Sequence, residues 1–353
     1  MTAYRIAVIP GDGIGREVVP VALAALRRAG ELTDRFHVET TDLDWSCERF
    51  LREGSMMPPD GLRILDAHDA ILVGAVGFPG VADHVSLWGL LLPIRQGFDQ
   101  YVNLRPIRVL PGIVSPLRNG SAETVDMLFV RENTEGEYSG IGGRFHAGAP
   151  EEVALQTSVY TRRGIERVVR FAFERARERS GRLASATKSN ALQYSAVLWD
   201  EVVADIARDF PDVRLTKYLV DALAARFVYA PETVDVVVAS NLYGDVLTDL
   251  GAALQGSLGL AASANLNPER THPSMFEPVH GSAPDVAGKD VANPMATAWA
   301  GAMLLEHLGE AEGAALVMGA IEHVAAHGPH TPDVGGTSGT RAVGAAIVAA
   351  MGS

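Results

Sequence analysis

The 353-residue chain contains a single cysteine, Cys47. One thiol cannot close an internal disulfide, so a disulfide-stapled secreted scaffold is excluded and a reducing compartment is expected. Lys and Arg nowhere form a block, and the net charge is −13. That balance argues against nucleic acid as a partner and leaves anion binding to local arginine clusters. No uncharged apolar run approaches the roughly 18 residues needed to cross a bilayer, so no membrane association is expected. The N-terminus runs straight into a strand-like segment, without the basic and apolar regions of a signal peptide. Internal repeats and low-complexity tracts are lacking as well. A cytoplasmic globular protein is the expectation that remains.

What is present is ordinary globular material, 47% apolar and 21% charged. The length exceeds what one core commonly fills, so two domains or one large α/β unit are expected. Apolar runs at 4–9, 70–76, 123–130, 213–220 and 234–239 read as strands. Helical periodicity marks 15–29, 162–179 and 192–209, and the Ala-, Met- and Leu-rich segments 295–325 and 340–351 read as helices. This alternation argues for the α/β class. Residues 136–158 break the pattern, with glycines followed by the strand-like EVALQTSVYT. A projecting hairpin that serves dimer contacts and a mobile surface loop both fit.

The stretch VIPGDGIGREV (8–18) resembles a dinucleotide-binding loop only at first sight. A Rossmann fingerprint needs G-x-G-x-x-G and an acidic residue about 20 positions on. Here Gly11-Asp12-Gly13-Ile14-Gly15 falls one residue short, and Asp12 would turn a negative charge into a phosphate site. These glycines alone do not assign a nucleotide.

Other constellations carry more chemistry. Arg95 (LLPIRQ), Arg105 (YVNLRP) and Arg131 (FVREN) each close an apolar run, where a charge needs a partner. Guanidinium forks grip carboxylates bidentately, so a small dicarboxylate is one such partner, and three separate structural ion pairs are the other. In VVASNLYGDVLTDLGAALQG a strand ends at Ser240 and a helix begins near Tyr243, which puts Asp245 and Asp249 on one face. Like charges so placed repel unless a cation lies between them, and oxygen ligands suit Mg2+ or Mn2+. A solvated helix start, favoured by the dipole, is the alternative. Asp221 follows the strand VRLTKYLV and offers a third carboxylate, because strand C-termini gather ligands in α/β sheets.

Tyr138 (RENTEGEYSG) and Lys188 (ATKSNAL) are ordinary surface residues unless a dication lies near them. Beside one, both pKa values fall and each can act as acid or base close to neutral pH. Finally, MFEPVHGSAPDVAGKDVANP (275–294) reads as a long rigid loop, and loops of that length are commonly functional. Its His280 offers a stacking or hydrogen-bonding ring, and its Asp285 an acceptor for a ribose hydroxyl.

Together, IPGDGIGRE, NLYGDVLTDLGAALQGSLGL, HGSAPDVAGKDVANP and the distal TPDVGGTSGT resemble the β-decarboxylating dehydrogenases, a family of isocitrate, 3-isopropylmalate, homoisocitrate and tartrate/D-malate enzymes. The likeness spans nearly the whole chain. It implies an isocitrate/isopropylmalate dehydrogenase-like two-domain α/β fold, with one sheet running through both domains and no Rossmann fold. The outer, cofactor-binding domain would be 1–101 plus 257–353. The inner domain, 102–256, would carry dimerisation and the metal site, with 136–158 as an intersubunit clasp. A homodimer with shared active sites follows, and a tetramer is compatible. Lys188 and Asp221 of one chain would complete the site of the other.

The resemblance also assigns roles. Arg95, Arg105 and Arg131 would hold the carboxylates, with Ser86, Trp88, Leu91 and Asn190 as further substrate contacts. Mg2+ or Mn2+ would be held by Asp221, Asp245 and Asp249. Lys188 would take the hydroxyl proton as hydride passes to NAD, and Tyr138 would protonate the carbanion left by CO2 loss. Ile14, His280, Gly281, Ser282, Ala283, Asp285 and Asn293 would hold the cofactor. Asp285 accepts from a 2′-hydroxyl and repels a 2′-phosphate, so NAD is expected. Potassium dependence is implied too, though no residue here explains it.

For the substrate, the variable helix SLWGLLLPIRQ decides. Ser86 is similar to the isocitrate enzymes and Leu91 and Leu92 to the isopropylmalate enzymes, but Trp88 leaves little room for a C3 substituent. With Asp44-Trp45-Ser46 it looks most like the tartrate/D-malate enzymes, so (R)-malate or tartrate is expected, with isopropylmalate the alternative. A catalytically silent regulatory or RNA-binding member would have lost ligands, whereas every such position here is filled.

Overall fold

The computed structural model describes residues 1–352. In chain order the strands are β1 (Thr2–Gly11), β2 (Phe36–Asp42), β3 (Ala70–Ala75), β4 (Val102–Arg108), β5 (Asp126–Glu132), β6 (Gly136–Phe145), β7 (Val153–Val159), β8 (Arg182–Thr187), β9 (Arg214–Leu219), β10 (Val236–Ala239), β11 (Ala262–Leu266) and β12 (Ser274–Pro278). Ten of them form one sheet in the order β2-β1-β3-β12-β11-β4-β5-β10-β8-β9. Both flanks are parallel, and the antiparallel pairs β12/β11, β11/β4 and β4/β5 join them in the middle. This order departs from a doubly wound Rossmann sheet, as the resemblance implied.

The apolar runs are explained by helices on both faces. Ile6 and Val8 of β1 pack into the core beneath the helix Gly15–Thr33, while Ala7 and Ile9 face the opposite core. In β10, Val236 and Val238 divide from Val237 and Ala239 in the same way. A strand covered on both sides reads as continuous apolar sequence rather than alternation.

The antiparallel seam is bridged by polar side chains. Asn103 of β4 donates to Asn265 Oδ1 of β11 at 2.8 Å, and Asn265 donates to Glu277 Oε1 of β12 at 2.8 Å. Glu277 in turn accepts from Arg95 at 2.7 Å. Buried hydrogen bonds of this kind tie the three strands in register and hold Arg95 in place, although Asn103 Oδ1 and Arg95 Nε keep no partner.

Several expectations change. The helix after β10 starts at Asn241, two residues before the expected Tyr243, and runs to Leu254. The single expected helix 295–325 is two, Met295–Leu308 and Ala311–His327, because Gly309 caps the first in a left-handed conformation. The expected loop 275–294 begins as a strand, since 274–278 are β12. Strands β2, β4, β8 and β11 were not foreseen. Residues 136–159 form the two-stranded antiparallel hairpin β6–β7, separate from the main sheet and exposing Ile141, Phe145, Val153 and Leu155.

Candidate active site

The arginines sit where strands and a helix deliver them to one place. Arg105 on β4 and Arg131 on β5 lie on adjacent antiparallel strands, and Arg95 ends the helical segment that begins at Asp83. All three guanidinium groups are buried. Arg131 reaches Asp245 Oδ1 at 2.5 Å and donates twice to Asn241 Oδ1, at 2.7 and 3.2 Å. Arg105 approaches the same Asp245 oxygen at 3.5 Å and donates to Thr248 Oγ1 at 2.6 Å. Arg95 is paired with Glu277 instead.

The charge is poorly balanced. Burial, then Arg105, lowers the Arg131 guanidinium from its ordinary value, with Arg95 acting in the same sense. Arginine does not release its proton in proteins, so crowding of this kind acts as affinity for an anion. The Nε atoms of Arg95 and Arg105 are buried without a hydrogen-bond partner.

Asp245 and Asp249 project from the helix Asn241–Leu254 one turn apart, as expected. Burial opposes ionisation of Asp245, but Arg131 and Arg105 outweigh it and hold its carboxyl below the usual carboxylate range. Asp249 goes the other way, raised by burial and then by Asp245. Tyr138 Oη donates to Asp245 Oδ2 at 3.1 Å, and its ring lies 5.7 Å from the Arg131 guanidinium carbon. Burial and Asp245 push the phenol above its ordinary value within this chain. The lowered value expected from the sequence was conditional on a dication.

Lys188, just past β8, donates to Asp221 Oδ1 at 2.6 Å, and this lysine lowers the Asp221 carboxyl. Asn190 beside them is exposed. Asp221 does not join Asp245 and Asp249 within one chain: among the described residues no group of three or more His, Cys, Asp or Glu could hold a metal.

The segment Asp83–Gly97 is a helix interrupted by a π-turn, Leu87–Leu91. Single π-turns concentrate at functional sites. Trp88 lies on this turn, 40% exposed, against Gly140 of β6, where an added Cβ would come within 2.8 Å of the indole. Gln96 donates to the Tyr138 carbonyl at 3.1 Å. Ser86 is buried with its hydroxyl donated to the Asp83 carbonyl of its own helix, and Leu91 packs on the core below.

The glycine loop and the 279–294 loop meet. Ile14 N–H donates to the Ser282 carbonyl at 2.9 Å, and a Cβ at Gly13 would lie 2.1 Å from that same oxygen. Ile14 packs with Val18, Ala292, Ala283, Val286 and Ala287. Asp12, whose charge counted against a phosphate site, is fully buried. Its carboxylate accepts from the N–H groups of Cys47, Glu48 and Gly77 at 3.0–3.4 Å, and so tethers the start of the helix Cys47–Glu53. His280 is held below its usual pKa by burial, and its Nε2 has no partner. Asn293 donates to Asp333, Gly281 and Asp285 are exposed, and Lys289 donates to the Asp285 carbonyl at 2.6 Å.

Asn241, Thr248, Glu277 and Gln96 were not foreseen as members of the site. Their roles depend on contacts far apart in the chain, 182 residues for Arg95 and Glu277. Only Asn241, placed between a strand end and a helix, left a local trace.

Comparison with known proteins agrees with this arrangement. The isocitrate/isopropylmalate dehydrogenase profile matches residues 5–347. The chain belongs to that family. It is 51% identical over 352 residues to a probable tartrate dehydrogenase/decarboxylase of Agrobacterium vitis, covering 99% of this chain and 98% of the relative. It is 52% identical to the D-malate dehydrogenase [decarboxylating] of Escherichia coli strain K12, with 98% of each chain covered. Among solved structures, isocitrate dehydrogenase from Methylococcus capsulatus superposes with a TM-score of 0.88 at 34% identity, covering 99% of each chain. The family's two-domain α/β fold is therefore that of this chain.

Proposed function

We propose that the protein catalyses the NAD-dependent oxidative decarboxylation of (R)-malate to pyruvate and CO2, and accepts tartrate. The observation that carries this reading is the convergence of Arg95, Arg105 and Arg131 around the acidic helix turn at Asp245. Relatives of about half identity are named tartrate dehydrogenase/decarboxylase and D-malate dehydrogenase, which favours the same substrate class. We place the outer domain at 1–101 plus 257–353 and the inner at 102–256, meeting in the sheet where β11 pairs with β4.

The residues fit the groups this chemistry requires. Asp249 is an unpartnered carboxylate raised by burial and then by the neighbouring Asp245, a pair that a divalent cation would relieve. Mg2+ or Mn2+, when bound, supplies the positive charge that polarises a 2-hydroxyl and its ketone product. In our reading the third ligand, Asp221, and Lys188 come from the partner subunit of a homodimer. Burial keeps His280 uncharged, which suits packing on an adenine ring. Close approach of Gly13 to Ser282 shapes the floor on which NAD would lie.

The chain's own steps follow. Arg105 and Arg131 exchange Asp245 for substrate carboxylates, two charge-assisted forks in a buried setting. Lys188, neutral once a dication lies beside it, would take the hydroxyl proton, and NAD, when bound, would supply the hydride acceptor. Tyr138, whose phenol is raised by burial and then by Asp245 in the free chain, would carry at Oη the proton a carbanion takes. Trp88 would fill space that an isopropyl group needs, and Arg95 is already paired with Glu277, so a third carboxylate would stay desolvated and unpaired.

A panel of (R)-malate, tartrate, 3-isopropylmalate and isocitrate with NAD, Mn2+ and K+ tests this reading. We expect the highest kcat/KM on (R)-malate, with tartrate turned over. If 3-isopropylmalate is best, the reading of Trp88 is wrong while the family stands. No metal-dependent NADH production on any acid would return the silent-subunit alternative.

A further inference from the structure

A second cluster of arginines lies away from this site, at the opposite ends of the strands that lead to it. Arg182 opens β8 and Arg214 opens β9, and the two are register partners in a parallel pair. Like charges placed directly opposite one another in a sheet destabilise it. Arg226 joins them from the helix Val220–Tyr229. The three line one cavity of about 240 Å³ with Thr216, Tyr218 and Thr233.

None of the three has a carboxylate partner. Arg182 donates to Ser180 Oγ at 3.0 Å and to the Glu232 carbonyl at 3.5 Å, and Arg226 to Thr233 Oγ1 at 2.6 Å. The Arg214 side chain has no partner among the described residues. Asp235 also reaches the cavity, but its oxygens are taken by Arg179 at 2.6 Å and by the Ser180 N–H and hydroxyl. Three unpaired cations in a concave site are unusual in a chain of net charge −13. Arg182 and Arg214 stand exposed at the sheet edge, where their mutual repulsion is weak, and an anion bound between them would relieve it.

We infer that this cavity is an anion site for a compact, multiply charged oxyanion, a phosphate ester or a polycarboxylate. Guanidinium forks from Arg182 and Arg214 would straddle the ligand, with the Arg226 charge and the Thr216 hydroxyl beside them. The cavity volume suits a small ligand, not a dinucleotide. The site is distinct from the catalytic one: β8 and β9 lead from it to Lys188 and Asp221, about six residues or roughly 20 Å away at strand rise. It shares elements with them, since the helix that supplies Arg226 begins at Val220 and carries Asp221.

Calorimetric titration at constant ionic strength, with pyrophosphate and with citrate, tests the inference on the whole protein. The unaltered chain is expected to bind at least one of them, and whichever binds tighter separates phosphate from carboxylate preference. Arg214→Gln removes a side chain with no partner and should weaken that binding at least tenfold. In low salt without added anion, the same variant should melt no lower than the parent, because it relieves repulsion. Equal affinity in parent and variant would assign all binding to the catalytic arginines and overturn the site. So would absence of binding by both anions to the parent.

Discussion

Asp249 and Asp245 differ by one helical turn and by what surrounds them. Asp245 is neutralised by Arg131 and Arg105, whereas Asp249 meets chiefly burial and Asp245 itself. A carboxyl raised in the folded state binds protons more tightly there than when unfolded, so its ionisation destabilises the fold as pH rises through that window. We therefore expect Asp249→Asn to raise the melting temperature in EDTA at neutral pH. The gain should vanish below the ordinary carboxylate range, where both states are protonated. Melting curves at about pH 7.5 and at a pH below about 3, under the ordinary Asp pKa of about 3.9, check this. The same substitution should weaken Mn2+ binding and cut turnover by well over tenfold, the usual scale for losing part of a metal site. Asp285 argues a separate case. Its exposed carboxylate facing a 2′-phosphate should favour NAD over NADP by at least about tenfold, 1.4 kcal/mol per decade, and Asp285→Lys should narrow the ratio. Equal use of both cofactors by the parent would remove Asp285 from the ribose.

At the scale of elements, the helical segment 83–97 and the arm strand β6 act as one unit. Trp88 rests on Gly140 and Gln96 holds the Tyr138 carbonyl, so the helical segment and the backbone that carries Tyr138 are tied at two points. Gly140 has a φ of +76° and no room for a Cβ. Gly140→Ala should displace the indole and strain the backbone, raising KM for (R)-malate several-fold while improving relative activity on branched malates. Trp88→Ala should share the second effect without the first strain, which makes the pair diagnostic. This coupling was invisible in the sequence, because the partners lie far apart and a π-turn has no residue signature. Elements buried on both faces, such as β1 and β10, were legible from their apolar runs. The half-exposed β2 and β9 flank gave weaker signals, and β9 was found only because VRLTKYLV alternates. The acidic helix Asn241–Leu254 and the three arginines were legible as elements because charges ending apolar runs are costly unless partnered. Glu277 was missed for the converse reason, since its charge is compensated across the seam.

The whole molecule raises the question of why one chain holds Asp221 and Lys188 apart from the site they would serve. In our reading a second copy closes that gap, with the β6–β7 hairpin and its exposed Ile141, Phe145, Val153 and Leu155 covered on assembly. Subunit mixing tests this directly. Lys188→Met and Asp245→Asn chains, each inactive alone, should regain about a quarter of parental activity after joint refolding, since a two-fold hybrid restores one of its two sites. No recovery, with hybrids present by mass, would place each site within one chain.

Cys47 turns the interior of this chain into a timepiece. The thiol is fully buried, and burial followed by Asp12 pushes its pKa up to about 12. A protonated, enclosed sulfur is nearly inert, so any reaction with a thiol reagent counts openings of the region around it. The same Asp12 ties Cys47 to the loop that touches Ser282. Occupancy of the cofactor cleft should therefore slow alkylation, and because no other cysteine competes, mass spectrometry of the intact chain would record each opening as one added label.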